Sequence, residues 1–205
     1  KPLTPLILWP DSRVKNIHSA VISLWQQNDF VSHTGLGIDV SPGLCIAKLL
    51  WFKQNLPQLW VKTKRIMTIS DYLTFSLTGK TVGDGGTASL LGLYDLQKHR
   101  WWQKAFEILG LDMNTFSSPL LPGTTAGATI DKNPLNLPAG IPFAVGSLDH
   151  HIAAIGAGVP SIAPASESTG TVLACLDYSN NFIPRAGCCM GPALDDNTYY
   201  QLAFS

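Results

Sequence analysis

The spacing of apolar residues divides the chain into short helices and strands. The run Leu44–Phe52 follows the turn 41–43 and is apolar on nearly every face, which predicts a buried helix. Apolar positions at three- and four-residue spacing predict a second helix from about Arg13 to Gln27. The same pattern predicts three further helices at Gln58–Lys62, Tyr72–Leu77 and Trp101–Leu109.

Short apolar runs predict the strands. The first of them, Leu6–Trp9, is closed by Pro10. The others are Arg65–Thr68, 128–130, 142–145, about 166–171, 172–176, 188–190 and 199–204. Helices and strands alternate through the first two thirds, and strands predominate near the end, so the predicted fold class is α/β.

Two segments are predicted to lack regular structure. The glycine-rich stretch Gly83–Ser89 fits neither of the two common nucleotide-binding glycine motifs, so we expect a structural loop there. The Pro- and Ser-rich stretch 116–127 reads as an extended connector.

The stretch Ile141–Thr171 carries the candidate chemistry. A strand breaks at Gly146-Ser147, and a helix is predicted to begin at or just after Asp149 and to end at Gly156–Gly158. Asp149 therefore has two interpretations, a helix N-cap or a base that takes a proton from a bound hydroxyl. The turn Ser168–Thr171 likewise is either an ordinary turn or a backbone concavity that binds an anion.

Composition narrows the class of protein. The 205 residues are 45% hydrophobic and 14% charged, with a formal net charge of zero. A neutral chain offers no electrostatic basis for binding nucleic acid or an anionic membrane. No apolar run reaches the roughly 18 residues of a membrane span, and the first residues lack the pattern of a signal peptide.

The four cysteines are Cys45, Cys175, Cys188 and Cys189. Their spacing contains no C-x-x-C pair and does not match a zinc knuckle. We therefore expect reduced, buried thiols and a cytoplasmic protein.

The order of these segments resembles the FGGY family of carbohydrate kinases. The resemblance runs from Leu8 to Thr171. Its first half rests on Trp9-Pro10-Asp11-Ser12-Arg13 (W-x-D-x-R), Ser41-Pro42-Gly43 with Lys48-Leu49-Leu50-Trp51 (P-G-x-x-x-x-K-L-L-W), and Asp71-Tyr72-Leu73 with Leu77-Thr78-Gly79 (D-Y-L-x-x-x-L-T-G). Its second half rests on Asp84 with Ala88-Ser89, Gly146-Ser147-Leu148-Asp149 with Gly156-Ala157-Gly158, and Gly170-Thr171.

The resemblance implies a fold and an activity. It implies an actin-like ATPase (ribonuclease H-like) fold that is partial here, an N-terminal lobe without its first strands. Domain 1–160 would be the sugar-binding lobe, and 161–205 the beginning of the nucleotide-binding lobe. The chain is then a central fragment of a sugar kinase like those for xylulose or gluconate, inactive by itself.

The resemblance also implies roles for individual residues. Asp149 would be the general base, while Trp9, Asp11 and His150 would bind the substrate. Thr169, Gly170 and Thr171 would contact the phosphates of ATP, which binds with Mg²⁺. Two of the substrate-binding residues have an alternative interpretation. Trp9 could be a core residue of a strand, and Asp11 could form a local cap and an ion pair with Arg13.

The expected ligands are a small sugar or polyol and ATP, with no nucleic acid or membrane partner and a homodimer as the candidate assembly. The alternative function is a non-catalytic sugar-binding or regulatory protein on the same fold.

Overall fold

The computed structural model describes residues 1–170 and 172–204. The first part is helical, with α1 Ser19–Trp25, α2 Phe30–Thr34, α3 Cys45–Asn55, α4 Pro57–Lys62 and α5 Ile69–Thr78. Next come β1 Val82–Asp84, α6 Gly85–Ser89, β2 Tyr94–Asp95, β3 Arg100–Trp101, α7 Gln103–Leu109 and a 3₁₀ turn at Met113–Thr115. The last part holds β4 Ser118–Leu120, β5 Thr125–Ala128, β6 Pro142–Ala144, α8 Asp149–Gly156, β7 Ala165–Thr169, β8 Leu173–Ser179, β9 Cys188–Pro192 and β10 Tyr199–Phe204.

The helices begin and end at local signals in the sequence. At α5 the Thr68 hydroxyl accepts the N–H of Asp71, and the Asp71 carboxylate accepts the N–H of Thr68, so the two residues form a capping box. The helix ends at Gly79, whose φ of 71° is the left-handed conformation that glycine adopts most readily. The predicted helix is confirmed, but its cap is Thr68 rather than Ser70 or Asp71.

The largest sheet lies in the last third of the chain. It is antiparallel, with strand order β7-β8-β10-β9, and Leu202 on β10 is paired with Leu176 on one side and Cys189 on the other. The remaining described strands form three two-stranded pairs, β1 with β4 in parallel, and β2 with β3 and β5 with β6 in antiparallel orientation.

Two apolar cores position the site. The larger includes Leu24 from α1, Leu50 from α3 and Phe106 from α7. The smaller joins α8 to the four-stranded sheet, and it contains Ala154, Val159, Ala174, Leu176, Tyr200 and Leu202. Helix α8 is therefore held against the inner face of the sheet.

The N-terminal segment differs from its prediction. Residues 6–9 form no strand, and the side chains of Leu6, Leu8 and Trp9 are all exposed. A strand requires a hydrogen-bonded neighbour, which an apolar run alone does not provide. The predicted helix 13–27 is also too long, because it begins only at Ser19, where His18 Nδ1 accepts the N–H of Ala20.

The predicted loop Gly83–Ser89 is wrong as well. It contains the end of β1 and all of α6, because the Asp84 carboxylate accepts the N–H of Thr87 and caps the helix. The connector 116–127 holds β4 and the start of β5, whereas Arg65–Thr68 forms only a bridge between Ile66 and Phe116.

The four cysteines are free, but their predicted burial is only partly confirmed. Cys189 is buried and Cys188 half-buried, whereas Cys45 and Cys175 are exposed. Alternate residues of β8 face opposite sides of the sheet, so Ala174 and Leu176 enter the core and Cys175 does not. In the described part of the chain, no helix has both the length and the apolar character needed to cross a membrane.

Candidate functional site

Asp149 is the first residue of α8. Strand β6 and the buried Val145 lead into it, and Leu148 rather than Asp149 occupies the N-cap position. Oδ1 of Asp149 accepts the N–H of His150 at 2.9 Å, while the side chain as a whole stays exposed. A carboxylate in the first turn is favoured by the helix dipole, and its exposure leaves it able to meet a ligand.

A cleft of about 230 Å³ lies between α8 and the β7–β8 hairpin. One wall is formed by His150, Ala153 and Ala157, and Ser166, Glu167 and Ser168 line the other. The cleft is smaller than the roughly 300 Å³ at which drug-sized ligand sites begin, so it suits a smaller molecule or part of one. The hydroxyls of Ser166 and Ser168 on the second wall can donate hydrogen bonds to hydroxyl or phosphate oxygens of a ligand.

The first two residues of the predicted phosphate turn, Ser168 and Thr169, are instead the last residues of β7, and Gly170 follows the strand. Thr169 and Gly170 are exposed, and Thr169 Oγ1 donates to Glu167 Oε1 at 3.3 Å. The space around Gly170 is open, so a ligand can approach its backbone closely. Thr171, the third predicted contact, lies outside the described residues. The structure thus brings His150 and Ser168 to one cleft, with Asp149 and Thr169 as their direct neighbours.

The predicted substrate residues Trp9 and Asp11 lie in a separate segment, beside α3. The Trp9 indole is 75% exposed, so the interpretation as a core residue is wrong. Arg13 donates to both oxygens of Asp11, at 2.8 and 2.7 Å, and thereby lowers the pKa of that carboxyl group to about 2. The ion pair that the sequence left open is therefore present.

Two contacts fix this segment on α3. The Arg13 guanidinium lies over the rings of Trp51 and Phe52, 5.2 and 4.7 Å from their centroids. Lys48, which is itself buried, donates to the carbonyl oxygens of Leu8 and Trp9 at 3.1 and 2.6 Å. Sequence reasoning assigned Lys48 only to a motif. The sequence feature that could have indicated its role is the position of a lysine inside an otherwise apolar helix.

Sequence reasoning also missed His151 and Ser147 on either side of Asp149. His151 is fully buried, and its Nδ1 is hydrogen-bonded to Ser147 Oγ at 2.8 Å. Burial lowers the pKa of His151 to about 4, against a smaller opposite effect of the Asp84 carboxylate. The imidazole is therefore neutral at physiological pH.

One family model matches about three quarters of the chain. Residues 1–156 match the model of the FGGY family of carbohydrate kinases, N-terminal domain. The chain belongs to the FGGY family. The predicted family is thereby confirmed.

Known proteins agree with this assignment. The chain is 32% identical to the xylulose kinase of Haemophilus influenzae over 114 residues, which are 56% of this chain and 23% of the relative. It is 28% identical to the xylulose kinase of Streptomyces rubiginosus over 204 residues, covering 91% of this chain and 42% of the relative. The chain thus spans less than half the length of both relatives.

Solved structures agree on the fold. The crystal structure of xylulose kinase from Rhodospirillum rubrum superposes with a TM-score of 0.81 at 20% identity, over 92% of this chain and 39% of that one. The fold is therefore the actin-like ATPase fold of FGGY kinases, in part, as predicted.

The described residues contain no group of three or more His, Cys, Asp or Glu side chains that could hold a metal ion. Glu167 lines the cleft, and Asp149 directly precedes the lining residue His150 at the start of α8.

Proposed function

We propose that the full-length protein is an ATP-dependent kinase that phosphorylates a small carbohydrate, a pentulose, polyol or aldonate. Membership of the FGGY family supports the reaction class. The observation that carries the proposal is the exposed carboxylate of Asp149 at the start of α8. It lies next to a cleft whose far wall is the end of β7, which leads into Gly170.

Asp149 acts in this proposal as the general base. The substrate hydroxyl gives its proton to the carboxylate as its oxygen bonds to the γ-phosphorus of ATP, and the bond to the β,γ-bridging oxygen breaks to release ADP. Most of the rate enhancement comes from positioning and charge stabilisation rather than from covalent chemistry on the protein. Thr169, Gly170 and Thr171 contact the phosphates of Mg-ATP.

The sugar contacts are assigned to His150 and Trp9. His150, the residue that follows Asp149 in the chain, lines the cleft. The exposed Trp9 indole offers a flat apolar face to the C–H groups of a sugar. Asp11, whose two oxygens both accept from Arg13, contributes by shaping the segment that presents Trp9. We further propose that the enzyme works in the cytoplasm, since its cysteines are free thiols.

The test is ADP release by the full-length protein. Wild type and Asp149→Asn are incubated with Mg-ATP and a panel of pentuloses, polyols and aldonates. We expect release that depends on one class of sugar and that falls at least about 100-fold in Asp149→Asn. A folded wild-type protein that binds a sugar from the panel but releases no ADP would instead support a non-catalytic sugar-binding or regulatory protein.

A further inference from the structure

A buried polar cluster lies beneath the first turn of α8. It consists of Ser147, His151, Gly86, Ser89 and Tyr200, and we call it the Gly86 cluster. His151, Ser89 and Tyr200 are fully buried, and the members come from the start of α8, from α6 and from β10. Fully buried polar side chains are costly unless they are satisfied, so their arrangement requires a reason.

The contacts of the cluster converge on one backbone position. The Tyr200 and Ser89 hydroxyls both donate to the Gly86 carbonyl, at 3.2 and 2.7 Å. Ser147 packs so closely on Gly86 that a Cβ added there would collide with Ser147 Oγ. The same Ser147 Oγ is hydrogen-bonded to His151, whose ring centre lies 4.6 Å from that of Tyr200.

These contacts flank the candidate base. Ser147 precedes Asp149 by two residues, and His151 follows it by two. The Asp149 side chain accepts only the N–H of its neighbour His150 within the described residues, so the backbone of this turn sets where the carboxylate lies. The hydrogen bond between Ser147 and His151 closes the turn around Asp149, and the contact of Ser147 with Gly86 ties that turn to α6.

We infer that His151 is a positioning residue for Asp149, acting through Ser147 and the Gly86 cluster. The inference rests on the proposed role of Asp149 as general base. His151 itself is buried and does not contact the cleft side of the helix, so it is not a catalytic residue.

The packing of His151 argues against a purely structural role. Its Nε2 has no hydrogen-bond partner among residues 1–170 and 172–204, although it is buried. A phenylalanine would keep a flat ring, somewhat larger than imidazole, between Tyr178 and Tyr200 without that unsatisfied nitrogen. What phenylalanine cannot supply is the hydrogen bond between Nδ1 and Ser147 Oγ, which is the part of His151 that acts on the turn.

The test is therefore His151→Phe in the full-length protein. We expect an unchanged or higher Tm, a kcat for sugar phosphorylation lowered about tenfold, and KM values for sugar and ATP within about twofold of wild type. Ser147→Ala should lower kcat by a similar factor, and the double variant by no more than either, because both remove one hydrogen bond. Tyr178→Phe is the matched control, because it removes a buried hydroxyl from the neighbouring ring and should leave kcat unchanged.

Three results separate the possibilities. A stable His151→Phe protein with wild-type kcat would overturn the inference while leaving the function of Asp149 intact. If that variant fails to fold, Ser147→Ala decides the question by the same criterion. A wild-type protein without sugar-dependent ADP release, or an Asp149→Asn variant that retains it, would refute the proposed function and the inference with it.

Discussion

The two regions that hold the candidate site residues are built differently. The turn around Asp149 rests on buried groups, since His151, Ser89 and Tyr200 are inaccessible to water. The segment around Trp9 lies against α3 with its Trp9 side chain exposed. The half-buried Asp11–Arg13 ion pair and two hydrogen bonds from the buried Lys48 hold it. Buried polar contacts fix a position more firmly than surface ion pairs, which water and salt screen.

This difference suggests a division of labour. Proton transfer tolerates little error in the distance between base and hydroxyl, and the base lies where the backbone is most firmly held. A ring that covers a sugar needs only approximate placement, and the Trp9 ring itself is exposed. We therefore expect changes near α8 to act on stability and kcat, and changes near α3 to act on KM.

The largest expected effect is the pH dependence that His151 confers. Because its pKa in the folded protein is about 4, below the usual 6.5, the unfolded chain binds the proton more readily. The stability that depends on neutral His151 is present above pH 6.5 and is lost as the pH falls toward 4, by about 3 kcal/mol. Urea unfolding of wild type and His151→Phe across this range measures it.

Because wild type and His151→Phe share every other titrating group, the contributions of those groups to the pH dependence cancel in the difference between the two proteins. Asp84 acts on His151 electrostatically, and the rings of Tyr178 and Tyr200 face it from β8 and β10. Burial raises the pKa of Asp71, which has the opposite effect on stability but is common to both proteins. Parallel pH curves for the two proteins would show that His151 is not buried in neutral form.

The second effect concerns a glycine beside Tyr200. A Cβ added at Gly191 on β9 would collide with the Tyr200 ring, so Gly191→Ala should displace the ring and lower the free energy of unfolding by about 2 kcal/mol. Gly146→Ala is the matched control, because the space around Gly146 is open, and it should change stability by less than about 0.5 kcal/mol. Equal stability of the two variants would contradict the described packing of β9 on Tyr200.

The smallest expected effect is on the Trp9 segment. Lys48→Met removes both hydrogen bonds to the Leu8 and Trp9 carbonyls, so the sugar KM should rise about fivefold, equivalent to roughly 1 kcal/mol, with little change in kcat. Lys53 on the same helix also donates to two carbonyl oxygens, those of Leu109 and Gly110. Lys53→Met is therefore the control and should leave KM unchanged. Equal KM values for the two variants would show that Lys48 does not contribute to substrate binding.

The sequence predicted those elements whose formation depends mainly on residues close together in the chain. Helix α8, its glycine-rich end and the strands of the last third were all expected from local pattern, and the structure contains them. The Gly86 cluster was not expected, because the hydrogen bond from Tyr200 to Gly86 joins residues 114 positions apart. Likewise, the predicted strand Leu6–Trp9 was wrong because pairing depends on a neighbouring strand that the local pattern does not specify.

The roles of individual site residues remain predictions for the same reason. The motif around Asp149 identified a carboxylate at a helix start, and the structure places it there beside a cleft. Whether that carboxylate takes a proton depends on a substrate hydroxyl, which no pattern in this chain describes.

The most direct test of the central claim is single-turnover phosphoryl transfer, measured in the full-length protein with sugar and Mg-ATP both saturating. Asp149→Asn keeps the size of the side chain but removes the base. The expected result is an unchanged dissociation constant for the sugar with a rate of transfer at least about 100-fold lower than wild type. A wild-type transfer rate in Asp149→Asn would contradict the assignment of Asp149 as the general base.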